Sequence, residues 1–174
     1  LQHPHILPVY DIGIDKVYGP YFTSKFIEGM SLRRLIFDLQ EGRKQIPQPQ
    51  RLEIFLKICD AISYVHSRGV LHLDLKPENI HISDDGEVLV LDWGLAKIQD
   101  SLVSDEFIDS YSFDAVEKKH YTMRGAVKGT PGYLAPEQCT INGIKCNRTD
   151  IYSLGGRREE KREERGREGR KERE

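Results

Sequence analysis

Long apolar runs are absent from this 174-residue sequence. That excludes a membrane-spanning helix, which needs about 20 consecutive apolar residues. An excess of basic charge is absent too: the formal net charge is −2, so electrostatics give no reason to expect nucleic acid or an anionic membrane as partner. Cysteine is scarce. Cys59, Cys139 and Cys146 are an odd number with no C-x-x-C pair, which argues against a disulfide framework or a zinc site and for free thiols in a reducing, cytoplasmic setting. The opening "LQHPHILPVY" has no basic segment followed by an apolar one, so no secretory signal is expected. It also lacks an initiator methionine, which suggests a piece of a longer chain. No internal repeat is visible. What is present, 38% hydrophobic residues, suits one soluble domain with a real core.

Turn residues and periodicity divide that domain. "HILPVYDIGI" and "YGPYFTSKFIEG" carry short β-type runs and predict an antiparallel hairpin. Ser31 then caps a short helix with Leu32, Leu35, Ile36 and Leu39 on one face, and Gly42 ends it. "IPQPQ" breaks the chain. From Arg51 a strong helical pattern places Leu52, Phe55, Leu56, Cys59, Ile62 and Val65 together, and Gly69 stops it. "VLHLDL" follows, and then "NIHI", the turn "SDDG" and "EVLVLD" predict a tight hairpin. From Ile98 to Val127 periodicity is weak, as in a functional or disordered loop. "GTPGYLAPEQ" reads as an ordered irregular loop, and "TDIYSLG" as the start of a buried helix capped by Thr149 or Asp150. From about residue 156 to 174 the chain is almost entirely charged. With no apolar face to bury, it is expected to be disordered or a solvated helix with i,i+4 ion pairs.

"HLDLKPEN" from His72, "DWG" from Asp92, "GTPGYLAPE" from Gly129 and "TDIYSLG" from Thr149 are the informative segments. Alone, a D-x-K pair is usually a surface ion pair and a D-x-G a turn. In this order and spacing the segments resemble those of eukaryotic-like Ser/Thr protein kinases, most closely the bacterial-type branch, over residues 1 to about 155. The resemblance implies a partial kinase-like α+β fold. A remnant of the small β lobe and the hinge come first, followed by a mostly helical large lobe with a catalytic-loop hairpin.

It also implies chemistry. The enzyme would be a Ser/Thr protein kinase using ATP and Mg²⁺ on a protein hydroxyl. Phosphoryl transfer needs positioning and charge neutralisation more than covalent help. Asp74 would orient the substrate hydroxyl, and Lys76 would reach the transferring phosphate. Asn79 and Asp92 would hold metal across the hairpin, with Gly94 giving the sharp turn after Asp92. Thr130 would bond the Asp74–Lys76 pair, and Pro131 to Leu134 would line the substrate site. Ser24 falls at the gatekeeper position. Lys25 and Ile27 would offer backbone groups to adenine, so that their side chains matter little. His81 stands where the family has an aliphatic residue under the base. His72 would be a packing residue stacked on Trp93, with Val9 as a third member. Asp150 would bond the catalytic-loop backbone.

Departures accompany the match. Leu73 replaces the arginine that receives a loop phosphate. The loop acceptors Ser101, Ser104, Ser110, Tyr111, Ser112, Thr122 and Thr130 would therefore meet at most the weaker charge of Lys97. No G-x-G-x-x-G loop or strand lysine of the V-A-I-K type occurs in these 174 residues, so the chain by itself is expected to be inactive. Glu137 would lack its family arginine partner. The alternative is a catalytically dead, pseudokinase-like scaffold, against which the intact Asp74, Lys76, Asn79 and Asp92 stand.

Overall fold

A computed structural model describes residues 1–99, 129–140 and 142–156. The charged tail and the loop acceptors from Ser101 to Thr122 lie outside the described residues. The predicted first hairpin forms from β1 (Val9–Asp15) and β2 (Gly19–Ser24), antiparallel with Ile12 opposite Phe22. Its turn is held by Asp15, whose Oδ1 accepts the N–H groups of Val17 at 2.8 Å and Tyr18 at 2.9 Å. Ahead of it, Ile6 bridges to Val90, docking the start of the chain on the later hairpin.

A two-residue strand β3 (Met30–Ser31) leads into helix α1 (Leu32–Gln40). Ser31 caps it as expected, its Oγ accepting the Arg34 N–H at 3.2 Å. Helix α2 spans Gln48–His66. It begins three residues before Arg51, because Pro49 falls in the first turn, where a missing N–H is no loss. The predicted inner face is only partly right. Ile54, Ile58, Ala61, Ile62 and Val65 are buried, whereas Leu52, Phe55 and Leu56 are exposed. The helix carries two apolar stripes, and the packed one is that facing the hairpin at Val88 and Val90.

Beyond Gly69, "VLHLDL" supplies only β4 (Val70–Leu71) before an irregular loop. A 3₁₀ turn (Pro77–Asn79) opens into β5 (Ile80–Ile82), which pairs with β6 (Val88–Val90) as predicted. β3 adds to the other edge of β5, and β7 (Lys97–Ile98) pairs with β4. A second 3₁₀ turn (Pro136–Cys139) and α3 (Asn147–Leu154) complete the described chain. The α3 cap is Cys146, not Thr149 or Asp150, which sit one turn inside; Thr149 Oγ1 instead accepts the Cys146 N–H at 3.1 Å. The architecture is α+β as expected, with one core joining Ile6, α1, α2, Leu75 and the β5–β6 hairpin.

Candidate active site

The loop between β4 and β5 is held open by its neighbours. Asp150 is fully buried at the start of α3. Its Oδ2 accepts the His72 N–H at 2.9 Å, and its Oδ1 the Leu73 N–H at 2.8 Å. His66, in the last turn of α2, lies 2.7 Å from Oδ2. Burial pushes this carboxyl up, but the hydrogen bonds from His66, His72 and Leu73 outweigh it and leave it below the ordinary carboxylate range. Leu73 has φ 64, a left-handed conformation that costs a non-glycine residue on the order of 1 kcal/mol or more. It is pinned on both sides, since Gln138 Nε2 donates to the Leu73 carbonyl at 2.8 Å.

That bent backbone turns Asp74 toward the next three polar groups. Lys76 Nζ donates to Asp74 Oδ2 at 2.6 Å and to Thr130 Oγ1 at 2.8 Å. Thr130 Oγ1 donates to Asp74 Oδ1 at 3.1 Å. Asn79 Nδ2 donates to the Asp74 carbonyl at 2.9 Å and to Oδ2 at 3.1 Å, so the Asn79 amide oxygen faces away from Asp74. Four sequence-predicted residues thus form one cluster from segments up to 56 positions apart.

Asp92 is brought to the same end of the hairpin, where the Leu91 N–H donates to the Asn79 carbonyl at 2.8 Å. Its carboxylate is exposed. The sharp turn is made by Asp92 itself, at φ 58, and not by Gly94; the Gly94 N–H donates to Asp92 Oδ1 at 3.2 Å. His72 is buried, with Nδ1 accepting the Asp74 N–H at 3.3 Å and Nε2 3.0 Å from the Leu91 carbonyl. Burial holds its basicity below the ordinary histidine value, against opposing interactions with Leu91, Asp150 and Asp74, so it is a neutral packing group. Trp93 lies 4.6 Å from it, ring to ring. Val9 is half exposed on β1 and does not complete a buried column with them.

Ser24, Lys25 and Ile27, expected to form the hinge, run from the end of β2 toward β3. Lys25 Nζ bonds Glu87 Oε2 at 2.6 Å. His81 Nε2 lies 3.2 Å from the Glu28 carbonyl. Lys97 is on β7, its backbone opposite Leu71. Glu137 is not left alone, since Thr149 Oγ1 donates to its Oε1 at 2.6 Å; a hydroxyl replaces the expected cation. The three cysteines are free. Sequence reasoning missed Gln138, His66 and Glu87. Only His66 left a trace, as a basic residue in the last turn of a helix.

A protein kinase domain is the family whose model matches residues 1–156, and the chain belongs to that family. It is 42% identical over 163 residues to the serine/threonine-protein kinase PknD of Protochlamydia amoebophila, covering 89% of this chain and 16% of that protein. To the PknD of Chlamydia muridarum it is 36% identical over 167 residues, covering 89% and 18%. The chain therefore spans less than a fifth of the length of these curated relatives. Among solved structures it is similar to the yeast RNA Pol II CTD kinase CTDK-1 complex, with a TM-score of 0.64 at 19% identity, covering 89% of this chain and 43% of that one. At that identity the likeness concerns the fold.

Proposed function

We propose that this chain carries the hinge and catalytic loop of a Ser/Thr protein kinase that transfers the ATP γ-phosphoryl group to a Ser or Thr hydroxyl of a protein substrate. The observation that carries the reading is the closed arrangement of Asp74, Lys76 and Thr130, with N···O and O···O separations of 2.6, 2.8 and 3.1 Å. Asp74 orients the acceptor hydroxyl and receives its proton. Lys76 neutralises the oxygens of the group in transit, and Thr130 holds both side chains at a fixed separation. The backbone of Lys25 and Ile27 meets the adenine edge, Ser24 opens the back of its pocket, and His81 supports its face.

Asn79 and Asp92 fit a Mg²⁺ ion: the Asn79 amide oxygen is turned away from Asp74, the Asp92 carboxylate is exposed, and both are hard oxygen donors. Among the described residues no group of three or more His, Cys, Asp or Glu side chains is placed to hold a metal ion by itself. Few protein ligands suit an ion that keeps water and phosphate oxygens around it. When bound, it would neutralise the phosphates and bridge them to the protein.

Among the described residues no helix is long and apolar enough to cross a membrane. We place the catalytic part in the cytoplasm, where ATP and protein substrates meet. The 174-residue chain alone is expected to be inactive, because it contains no glycine-rich phosphate loop and no strand lysine. The test therefore uses the full-length protein and labelled ATP. Asp74→Asn is expected to lower turnover by roughly 10²- to 10⁴-fold. Equal transfer by wild type and variant would overturn the role of Asp74. No transfer and no ATP binding by the wild type would favour the scaffold reading.

A further inference from the structure

The hinge backbone is expected to meet adenine, and that expectation makes the hinge side chains dispensable. The structure gives one of them a partner. Lys25 Nζ lies 2.6 Å from Glu87 Oε2, across 62 residues of sequence, with the two side chains 41% and 29% exposed. Glu87 stands between Gly86 and β6, in the turn of the hairpin whose first strand carries His81.

The remaining ties of the hinge to this hairpin lie further along. His81 Nε2 reaches the Glu28 carbonyl at 3.2 Å. Gly29, at φ 124, packs so closely that a Cβ there would sit 2.3 Å from the Ile82 carbonyl oxygen. Met30 and Ser31 then pair with Ile82 and His81. At the other end, the Lys25 N–H reaches the Pro8 carbonyl only at 3.3 Å. Upstream, residues 25 to 27 continue from β2, whose Ser24 pairs with Val9 of β1, and the Lys25–Glu87 pair ties that end to the β5–β6 hairpin.

We propose that the Lys25–Glu87 ion pair is a positioning element of the nucleotide cleft, clamping the hinge onto the β5–β6 hairpin so that the adenine-facing backbone keeps a fixed distance from His81. The proposal rests on the kinase reading above and deepens it. A partly exposed pair adds little to global stability, so its effect is on geometry. The bond to Glu87 also raises the basicity of Lys25 above the ordinary lysine value.

The test uses the full-length protein with Glu87→Gln, Lys25→Met and the charge swap Lys25→Glu/Glu87→Lys. Amide hydrogen exchange of residues 25–29 is read without nucleotide, and KM for ATP and for a peptide substrate are read separately. Each single variant should speed exchange in the hinge and raise KM for ATP about three- to fivefold, the range expected of a pair worth up to about 1 kcal/mol. KM for the peptide should move less, and the swap should recover at least half of the loss. Unchanged hinge exchange in both single variants would overturn the proposal, as would equal shifts in the two KM values or a swap that recovers nothing. Hinge exchange answers even if the wild type transfers no phosphate, so failure of the clamp and failure of the kinase reading give different results.

Discussion

Two antiparallel hairpins of similar composition have opposite fates in this fold. The β1–β2 hairpin carries Val9, Ile12, Ile14, Tyr21 and Phe22, and all are exposed, Ile12 at 72% and Ile14 at 80%. The β5–β6 hairpin buries Val88, Leu89 and Val90 to 1% exposure or less. Alternation and β-branched residues specify a strand in both cases. What separates them is what lies alongside. β5 and β6 are flanked by β3 and Ile6 and covered by α2, whereas among the described residues β1 and β2 pair only with each other. The second hairpin is therefore the packed one; His81 lies within β5, and Asn79 and Asp92 flank the hairpin where its two strands meet the neighbouring loops.

The sharpest way to break this contrast is a matched truncation. Leu89→Ala should destabilise the protein by roughly 2–5 kcal/mol, through lost burial and a residual cavity. Ile14→Ala in the same background should change stability by less than about 0.5 kcal/mol, as exposed substitutions do. Chemical denaturation of both variants measures the difference. Comparable losses would mean that the first hairpin is covered in the protein as tested.

A second pair of changes asks whether the bent loop before the buried hairpin depends on α3. Asp150→Asn keeps the shape but removes the charge that accepts from His66, His72 and Leu73. A hydrogen bond to a charged group contributes about 1.5–3 kcal/mol, so a loss of that order is expected, with the loop at Leu73 relaxing from its left-handed conformation. An exposed carboxylate such as Asp11 on β1 should be neutral to the same change. Equal small effects at both positions would show that the loop around Leu73 holds its shape unaided.

How much of this was legible beforehand differs between backbone and contacts. The hairpin turn and the Ser31 cap follow from local spacing, because short-range stereochemistry fixes each, whereas the cluster of Asp74, Lys76, Asn79 and Thr130 was expected only through the family resemblance of the motifs. The buried stripe of α2 was half misread. Leu52, Phe55 and Leu56 have the same period as Ile54, Ile58 and Ile62, and periodicity alone does not say which stripe meets a partner. Gln138 and Glu87 were invisible for a related reason. Their roles come from a carbonyl 65 residues away and an ammonium 62 residues away, and nothing local announces either. The turn-forming role given to Gly94 belongs to Asp92, a case where the usual preference of glycine for positive φ misleads.

The two regions should also respond differently to acid. His72 sits neutral beneath the buried hairpin, its basicity lowered by burial from the ordinary value of 6.5. The unfolded chain takes up a proton there before the folded one does, so stability contributed at neutral pH is lost as pH falls below about 6.5. The slope from one such group approaches about 1.4 kcal/mol per pH unit. The lowered carboxyl of Asp150 adds its loss only below the ordinary value of 3.8. Denaturation midpoints between pH 7 and 5 should therefore fall in the wild type and flatten in His72→Phe. A profile unchanged by that substitution would remove His72 as the cause.

The smallest effect tests the one feature that the two hairpins share, their turns. In the first, Asp15 accepts the N–H groups of Tyr18 and Val17, and these bonds hold its carboxyl below the ordinary 3.8. In the second, Asp85 is bonded by Ser83 and then by the Glu87 N–H, with the same result. Both carboxylates are exposed, so the gain in stability is slight and screened by salt. The sign is nonetheless fixed: a lowered carboxyl contributes above its unfolded value and loses that contribution as pH falls through the folded one. Side-chain NMR titration should find Asp15 and Asp85 both below 3.8 despite the opposite burial of their strands. If Asp15 titrated normally while Asp85 stayed low, turn geometry would depend on the packing of the strands. Matching values would instead mean that an aspartate at the turn organises a hairpin locally, before anything packs against it.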